Sequence, residues 1–532
     1  MKSKLAVMIL MICSVLNAQI STFQRTLKAS GDEFAGTVLE TSNGDFLTVG
    51  FSTTLSNGKE DCMIARTNSL GQTIWVKTYG DTARQHFLHA IQDGSSDEYY
   101  VVGFSEGRGV KKTDGVFGKI NGVGNILWMK AYGGNGDEEL RRIVKANDGG
   151  FYIMGHSTST LGAGLEDNYI LKVNSTGDIQ WTRLFGGSGV ERIRSCIKDS
   201  IGNLVITGFT NSFGAGNKDV FVVKMSQAGV FKWSYVYGKN SIDKAQDVVN
   251  ASGGDIVIGG DTKMPVNMNP PTSNAFLMKI DSLGNKKWLR VYQDTSETDL
   301  WTVINTNDNG YVFTTDETPL GVTAYSTTDV SYAKVNDATG NISWAHRIGG
   351  SKKDKRPDVI RPIGGGYLIV SGTASFASDT MRNLHFVRTN TLGVSGCQTY
   401  VRTFVKVDTG FTKGNVNWIT ATDGSTAAVT WTAVSKTFVH DTLCQNIINT
   451  SIASHSNNSK EYKIYPNPST GKFKLEIDQI EFLVEIRDQL GRLIQTESNR
   501  KEFDLRGFEN GIYYVTVRAP EATTVSKVII EN

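Results

Sequence analysis

The chain has 532 residues, with 55 Lys or Arg against 53 Asp or Glu and a formal net charge of +2. A balance this even, with no basic block, speaks against nucleic acid or acidic lipid as a partner. Fifty-six glycines against nine prolines, with plentiful Thr, Val, Ile and aromatic residues, point to an all-β chain with many glycine turns.

Residues 1–18 come first. Lys2 and Lys4 precede an apolar run from Leu5 to Leu16, and Ala18 is a small residue suited to cleavage. This is the pattern of a secretory signal peptide, too short to span a membrane. Cleavage after Ala18 leaves Gln19 first and removes two lysines (55 − 2 = 53), so the mature net charge is zero. A lipoprotein reading through Cys13 is weaker, because Ile12 before it is not small. No later stretch is long and apolar enough for a transmembrane helix.

Residues 19–396 are built on one repeat, clearest as NYILKVNSTGDIQWTRLFGG at 168–187. Two β-prone runs flank a turn in which Asn174 can bond nearby backbone and Gly177 can take positive φ, the pattern of a β-hairpin. Trp75, Trp128, Trp181, Trp233, Trp288 and Trp344 repeat at spacings of 53, 53, 52, 55 and 56. Four residues before each stands a glycine, from Gly71 to Gly340. Nine or ten before stands Arg or Lys, from Arg66 to Lys334, and five before that an Asp or Asn. A seventh set, Asn383, Arg388 and Gly393, has Cys397 in the Trp position. Two more strands precede each hairpin, the first after an acidic or polar start as at Asp137–Val144. The second strands, such as FYIMG ending at Gly155, number seven. Four strands in about 50 residues make one propeller blade, so the expected fold is a seven-bladed β-propeller with four-stranded blades.

Only six Trp strands follow their own blade. Phe23 stands 52 residues before Trp75, and Leu27 matches Tyr79 in the same alignment. The N-terminal strand therefore completes the seventh blade and leaves no free sheet edge. The alternative is closure by the strand around Cys397. The Trp positions are expected to pack between sheets rather than stack on a ligand. The Asp/Asn and Lys/Arg pair is expected to form a hydrogen bond or ion pair at the blade rim, worth roughly 0–1 kcal/mol if exposed. The expanded loops at 262–273 and 317–328 are places where binding could be grafted on the scaffold, although plain length drift in a surface loop is the favoured explanation.

Residues 397–446 leave the repeat and read as a small β extension. Cys397 and Cys444 bound it and, in an exported chain, can pair; Cys62 and Cys196 read as unpaired core residues. Residues 447–462 are rich in Asn and Ser and read as a linker. Residues 463–532 carry short alternating strands with no helix period, which suggests a small Ig-like β-sandwich.

This last segment has further pattern. Tyr465, Pro466, Asn467, Pro468 and Gly471 open it. Asp488, Gly491 and Arg492 follow, then Gly511 and Tyr513. In order and spacing it resembles the type A C-terminal sorting domain of the type IX (Por) secretion system of Bacteroidota. The resemblance implies Sec export followed by transport across the outer membrane by the type IX machinery, then anchoring on the surface or release. The propeller is similar in repeat style to propellers carried as cargo by that system.

Motifs for chemistry are few. The turn and Trp at 337–344 look like a tryptophan-docking motif of quinoprotein dehydrogenases, but only this copy comes close. Kelch repeats place Gly-Gly after the second strand, whereas here it follows the Trp strand. Sialidase-type Asp boxes, a Gly-x-Ser-x-Gly elbow and a His-Glu-x-x-His motif are absent. His86 and His89, three apart on a strand, make a poor metal pair. Residues 305–310 resemble a calcium loop only as far as an ordinary turn does. No catalytic, cofactor or metal residue is assigned. The expectation is a non-enzymatic surface or secreted module that binds glycan or protein. The alternatives are a carbohydrate-active enzyme, with paired carboxylates in the mouth of the ring, and a purely structural surface protein.

Overall fold

The computed structural model describes residues 20–28, 31–53, 59–107, 113–264, 272–293, 296–319, 328–376 and 381–396. It also describes 399–446 apart from 403, 408–409, 423–424, 429–431 and 436–438, and 463–531 apart from 478–481, 489–492 and 520–521. Helix among these is confined to one turn, Ser252–Gly254. The chain divides into two compact units, one ending at Ile448 and the other beginning at Asn449.

The larger unit is a β-propeller with seven antiparallel sheets, and successive sheets pack face to face around a ring. Blade three shows the plan: Glu138–Lys145, Phe151–Ser157, Asp167–Val173 and Ile179–Gly186. Its second and third strands are buried along their whole length, because neighbouring blades cover both faces, so their sequences run apolar without alternating. The core lies between blades rather than within one. Leu47, Cys62 and Tyr79 of the first blade pack with Phe87, Tyr99 and Val101 of the second.

The ring closes through the N-terminal strand. Thr22–Lys28 pairs with Asn383–Thr389, placing Phe23 opposite Arg388 and Leu27 opposite Leu384. Phe23 also does what the tryptophans do. A Cβ added to Gly71 would lie 2.5 Å from the Phe23 ring, as one on Gly124 would lie 2.9 Å from Trp75. Only glycine, at φ +72° and +75°, lets the turn of one blade sit on the aromatic of the blade before it.

Residues 400–446 are not a separate extension. They run around the ring against the blade order and add a fifth, outermost strand to every sheet. Tyr400–Val401 joins the sixth blade, Val405–Val407 the fifth, Thr412–Asn415 the fourth and Ile419–Ala421 the third. Ser425–Ala428 joins the second, Thr432–Ser435 the first, and Val439–Asn446 pairs with the N-terminal strand of the seventh. The physical reason is the open edge each four-stranded blade would otherwise present. One step round the ring takes seven residues: Phe404, Phe411 and Trp418 enter successive gaps, Phe411 at 5.1 Å from Phe276 and Trp418 at 5.3 Å from Phe185. Cys444, at the end of this belt, is disulfide-bonded; its expected partner Cys397 lies outside the described residues. Cys62 and Cys196 are buried free thiols.

The smaller unit is a sandwich of a three-stranded and a four-stranded sheet. Phe473 and Phe503 of one sheet share a core with Val484, Val515 and Val528 of the other.

Candidate binding site in the propeller channel

Each blade's first strand carries a break in register against its second strand. The extra residue is Gly36, Leu88, Arg141, Arg194, Gln246 and Trp301 in blades one to six, and Arg356 with Pro357 in blade seven. A bulge re-aims the side chain it adds. All seven bulges line one cavity of ≈ 380 Å³ at the centre of the ring. Their spacings along the chain are 52, 53, 53, 52, 55 and 55 (88 − 36, and so on). This is the period of the tryptophans, but apart from the three arginines the residue types differ.

The rungs that lead into the bulges vary in the same way. Across the ladder the pairs are Phe34 with Phe51, His86 with Phe104, Glu139 with His156, Arg192 with Phe209, Lys244 with Asp261, Asp299 with Asp316, and Lys355 with Gly372. Blades one and two give an aromatic wall: Phe34 stacks on Phe51 with centroids 4.5 Å apart, and Phe51 on His86 at 3.6 Å. Blades three to five give a basic wall. Blade six sets two carboxylates opposite each other, where like charges oppose folding.

These charges are perturbed by their surroundings. Burial pulls Arg141 and Arg356 below the ordinary guanidinium range. Arg194 falls to about 9, from burial first and then from Arg141 and Arg192 beside it. Arg141 lies 3.3 Å from Glu139, but Arg194 has no carboxylate partner among the described residues and its Nε is buried without a hydrogen bond. Burial raises Asp316 to about 7, with Asp299 adding to the effect and Lys355 opposing it. Asp261 also rises to about 7, from burial and then Asp299. Asp358 rises to about 6 through burial while accepting from the Val38 N–H at 2.7 Å and the Thr302 hydroxyl at 3.0 Å. Burial holds His86 below its usual value, and its Nε2 meets Glu60 at 2.6 Å.

The buried acids that open the first strands have a different duty. Glu138 accepts from the Gly134 N–H at 2.9 Å and the Ser157 hydroxyl at 2.5 Å. Glu191 accepts from the Gly187 N–H and the Thr210 hydroxyl, both at 2.7 Å. Each ties its strand to its own second strand and to the end of the preceding blade, so these carboxylates are occupied by structure.

The repeated residues sit away from the channel. Cβ atoms on Gly177, Gly229, Gly340 and Gly393 would lie 2.7–3.1 Å from Trp128, Trp181, Trp288 and Trp344. The Trp233 indole donates to the Ser282 carbonyl of the next blade at 3.2 Å. The basic residues of the third strands pair with turn aspartates, not with the Asp five positions earlier: Lys119–Asp93 at 3.0 Å, Lys172–Asp148 at 2.8 Å and Lys224–Asp199 at 2.9 Å. Five residues of extended chain put those two positions at opposite ends of the strand. There Asp219 instead accepts from the Gly216 N–H at 3.0 Å. Of the expanded loops, 265–271 and 320–327 lie outside the described residues.

In the sandwich, Asn467 fastens the opening motif to the last strand. It donates to the Lys527 carbonyl at 2.7 Å and accepts from the Ile529 N–H at 2.9 Å. Tyr465 ends the strand Lys463–Tyr465, Pro466 and Pro468 follow with cis peptide bonds, and Gly471 turns at φ +92°. Asp488 stands opposite Tyr513, whose hydroxyl donates to the Glu509 carbonyl at 2.7 Å, and Gly511 opens that strand. Gly491 and Arg492 lie outside the described residues. Residues 463–531 match the family described as secretion system C-terminal sorting domain. The tail is a type IX sorting domain. It directs the protein to the cell surface or the extracellular space, and among the described residues no helix is long and apolar enough to cross a membrane.

No curated protein matches the chain. Among solved structures, the chain is similar to an extracellular domain assigned to a hybrid two-component system of Bacteroides thetaiotaomicron. Identity is 10%, 94% of this chain and 68% of that one are covered, and the TM-score is 0.28. It is also similar to an endo-arabinase of the same organism (9%, 48% and 94%, TM-score 0.26) and to an exo-β-1,3-galactanase of Clostridium thermocellum (10%, 71% and 96%, TM-score 0.28). Likeness at this level has no bearing on activity or ligand.

Proposed function

We propose that this type IX-secreted propeller is a non-enzymatic glycan-binding module whose ligand enters the central channel. One observation carries the reading. At the bulge position seven copies of one repeat present five different residue types, three of the copies carrying arginine, while the packing positions of the same repeats stay alike. A scaffold needs the second property and gains nothing from the first. The half-buried Trp301 beside Gln246 and Thr302 is the combination of flat apolar face and hydrogen-bonding groups that suits a sugar ring. A glycan array with the full mature chain tests this, alongside a screen for new reducing ends. Saturable binding without turnover is expected, and hydrolysis over many turnovers would sink it.

The Asp299–Asp316 rung favours a second reading, an extracellular carbohydrate-active enzyme. Two carboxylates of which one stays protonated near neutral pH can serve as acid and base. Under that reading Asp316→Asn abolishes hydrolysis and leaves binding in place.

The localisation has its own test. Deleting residues 462–532 should strand the protein in the periplasm, as read by fractionation; normal display without them would contradict the sorting role.

A further inference from the structure

We infer that the ligand is an anionic saccharide, held through a carboxylate or sulfate group in a basic cleft at blades three to five; this rests on the glycan-binding reading above. The cleft is a cavity of ≈ 320 Å³ that shares Arg194 with the channel and is also lined by Arg192, Lys218 and Lys244. Its cations outnumber its carboxylates. Glu166 is already engaged by His156 and by Arg192, both at 2.8 Å, and Asp261 by Lys244 at 3.2 Å.

Arg194 and Lys218 are left over. Neither has an ion-pair partner among the described residues. Both lie instead over the ring of Phe209, at 5.4 Å and 4.6 Å from its centroid. Cation–π contact on a buried ring compensates part of the cost of desolvating a charge, but it neutralises nothing. The low pKa of Arg194 and the lowered one of Lys218, which follows from burial and then from Lys244, Arg192 and Arg194, are what crowding without a counter-charge produces. An anion seated between them relieves that crowding. A guanidinium fork and an ammonium lining one cleft supply the donors that the oxygens of a carboxylate or sulfate accept from. The neighbouring bulges, Gln246 and Trp301, then face the rest of the sugar along the channel wall.

The test is binding of the full mature chain to four polymers: polygalacturonate, dextran sulfate, plain dextran and polyglutamate. Polygalacturonate or dextran sulfate should bind, whichever group fits, with affinity falling steeply as salt rises, and dextran should not. Arg194→Gln and Lys218→Gln, made separately, should each weaken binding about tenfold or more. Removing Arg194 relieves repulsion and should not lower the melting temperature, and Lys218 at the cleft rim gives an independent check. Equal binding to dextran and dextran sulfate would overturn the anion site and leave a neutral-glycan module standing. Tightest binding to polyglutamate would overturn the saccharide, and unchanged binding in both variants would overturn the placement. Polymer cleavage would strike the non-enzymatic reading and leave anion recognition intact.

Discussion

The rim and the channel of this propeller are made by the same repeats under opposite rules. At the rim every blade repeats one contact: an aromatic packs on the turn glycine of the next blade, and a tyrosine four residues later often donates to that glycine's carbonyl, as from Tyr79 to Gly124 and from Tyr132 to Gly177. In the channel the bulge residue varies from Gly36 to Trp301, with arginine in three of the seven blades. The difference separates what a blade needs to stand beside its neighbour from what the ring presents in its channel. A substitution at the rim should therefore cost stability and leave binding per folded molecule alone, and a substitution in the channel should do the reverse.

The largest effect is expected at the rim. Trp288 is 8% exposed and donates to the Asp337 carbonyl of the next blade at 3.0 Å. Trp288→Ala should cost about 3–5 kcal/mol, read as a lower melting temperature, with the affinity of the folded fraction unchanged. An altered affinity would show that rim and channel are coupled. The belt comes next. If Cys444 pairs with Cys397, the chain-entropy model gives the bridge about 4 kcal/mol as an upper figure. Cys444→Ser should approach that loss, and peptide mapping of the oxidised protein should find the two cysteines linked.

The channel's own stability test is pH. Asp316 titrates near 7 when folded and near 3.9 when unfolded, so the native state holds the extra proton between those values. Stability from this group falls as pH rises from about 4 through 7. Asp316→Asn removes that slope. It should stabilise the protein at pH 8 by on the order of 2 kcal/mol after discounting for relaxation, read as a higher melting temperature, and change little at pH 4. A loss of stability at pH 8 would mean that the carboxylate is held ionised by its neighbours.

How much of this was legible depended on whether a feature repeats with its chemistry or without it. The tryptophans, the turn glycines and the closing role of Phe23 could be read because similar residues recur at one period. The bulge ring recurs at that same period, but it runs from Gly36 and Leu88 through three arginines to Gln246 and Trp301, so a search for one recurring residue passes over it. The belt hid for another reason. Its signal is a seven-residue spacing, Phe404, Phe411 and Trp418, set by the distance between blade edges, and no property of a free strand requires it. The pairing of the third-strand lysines was misjudged because sequence proximity suggested a partner five residues away, whereas the fold brings the turn of the neighbouring strand to the ammonium.

That pairing gives the smallest prediction and the most direct comparison of the two regions. The Lys172 side chain is 5% exposed and the Asp148 side chain 54%, at 2.8 Å. Water screens the carboxylate while the lysine stem packs over Tyr152, with the ammonium 5.2 Å from its ring centroid. Asp148→Asn should cost only about 0–1 kcal/mol, and less in high salt as screening replaces the lost partner. Arg194 is the converse: a cation with no carboxylate to lose, so Arg194→Gln should cost nothing in stability and should gain most at low salt, where repulsion from Arg141 and Arg192 is least screened. Melting temperatures of both variants across a salt series decide the matter. Opposite salt trends are the signature of a rim whose charges are matched and a channel whose charges await a ligand; parallel trends would mean that Arg194 is already neutralised in the free protein.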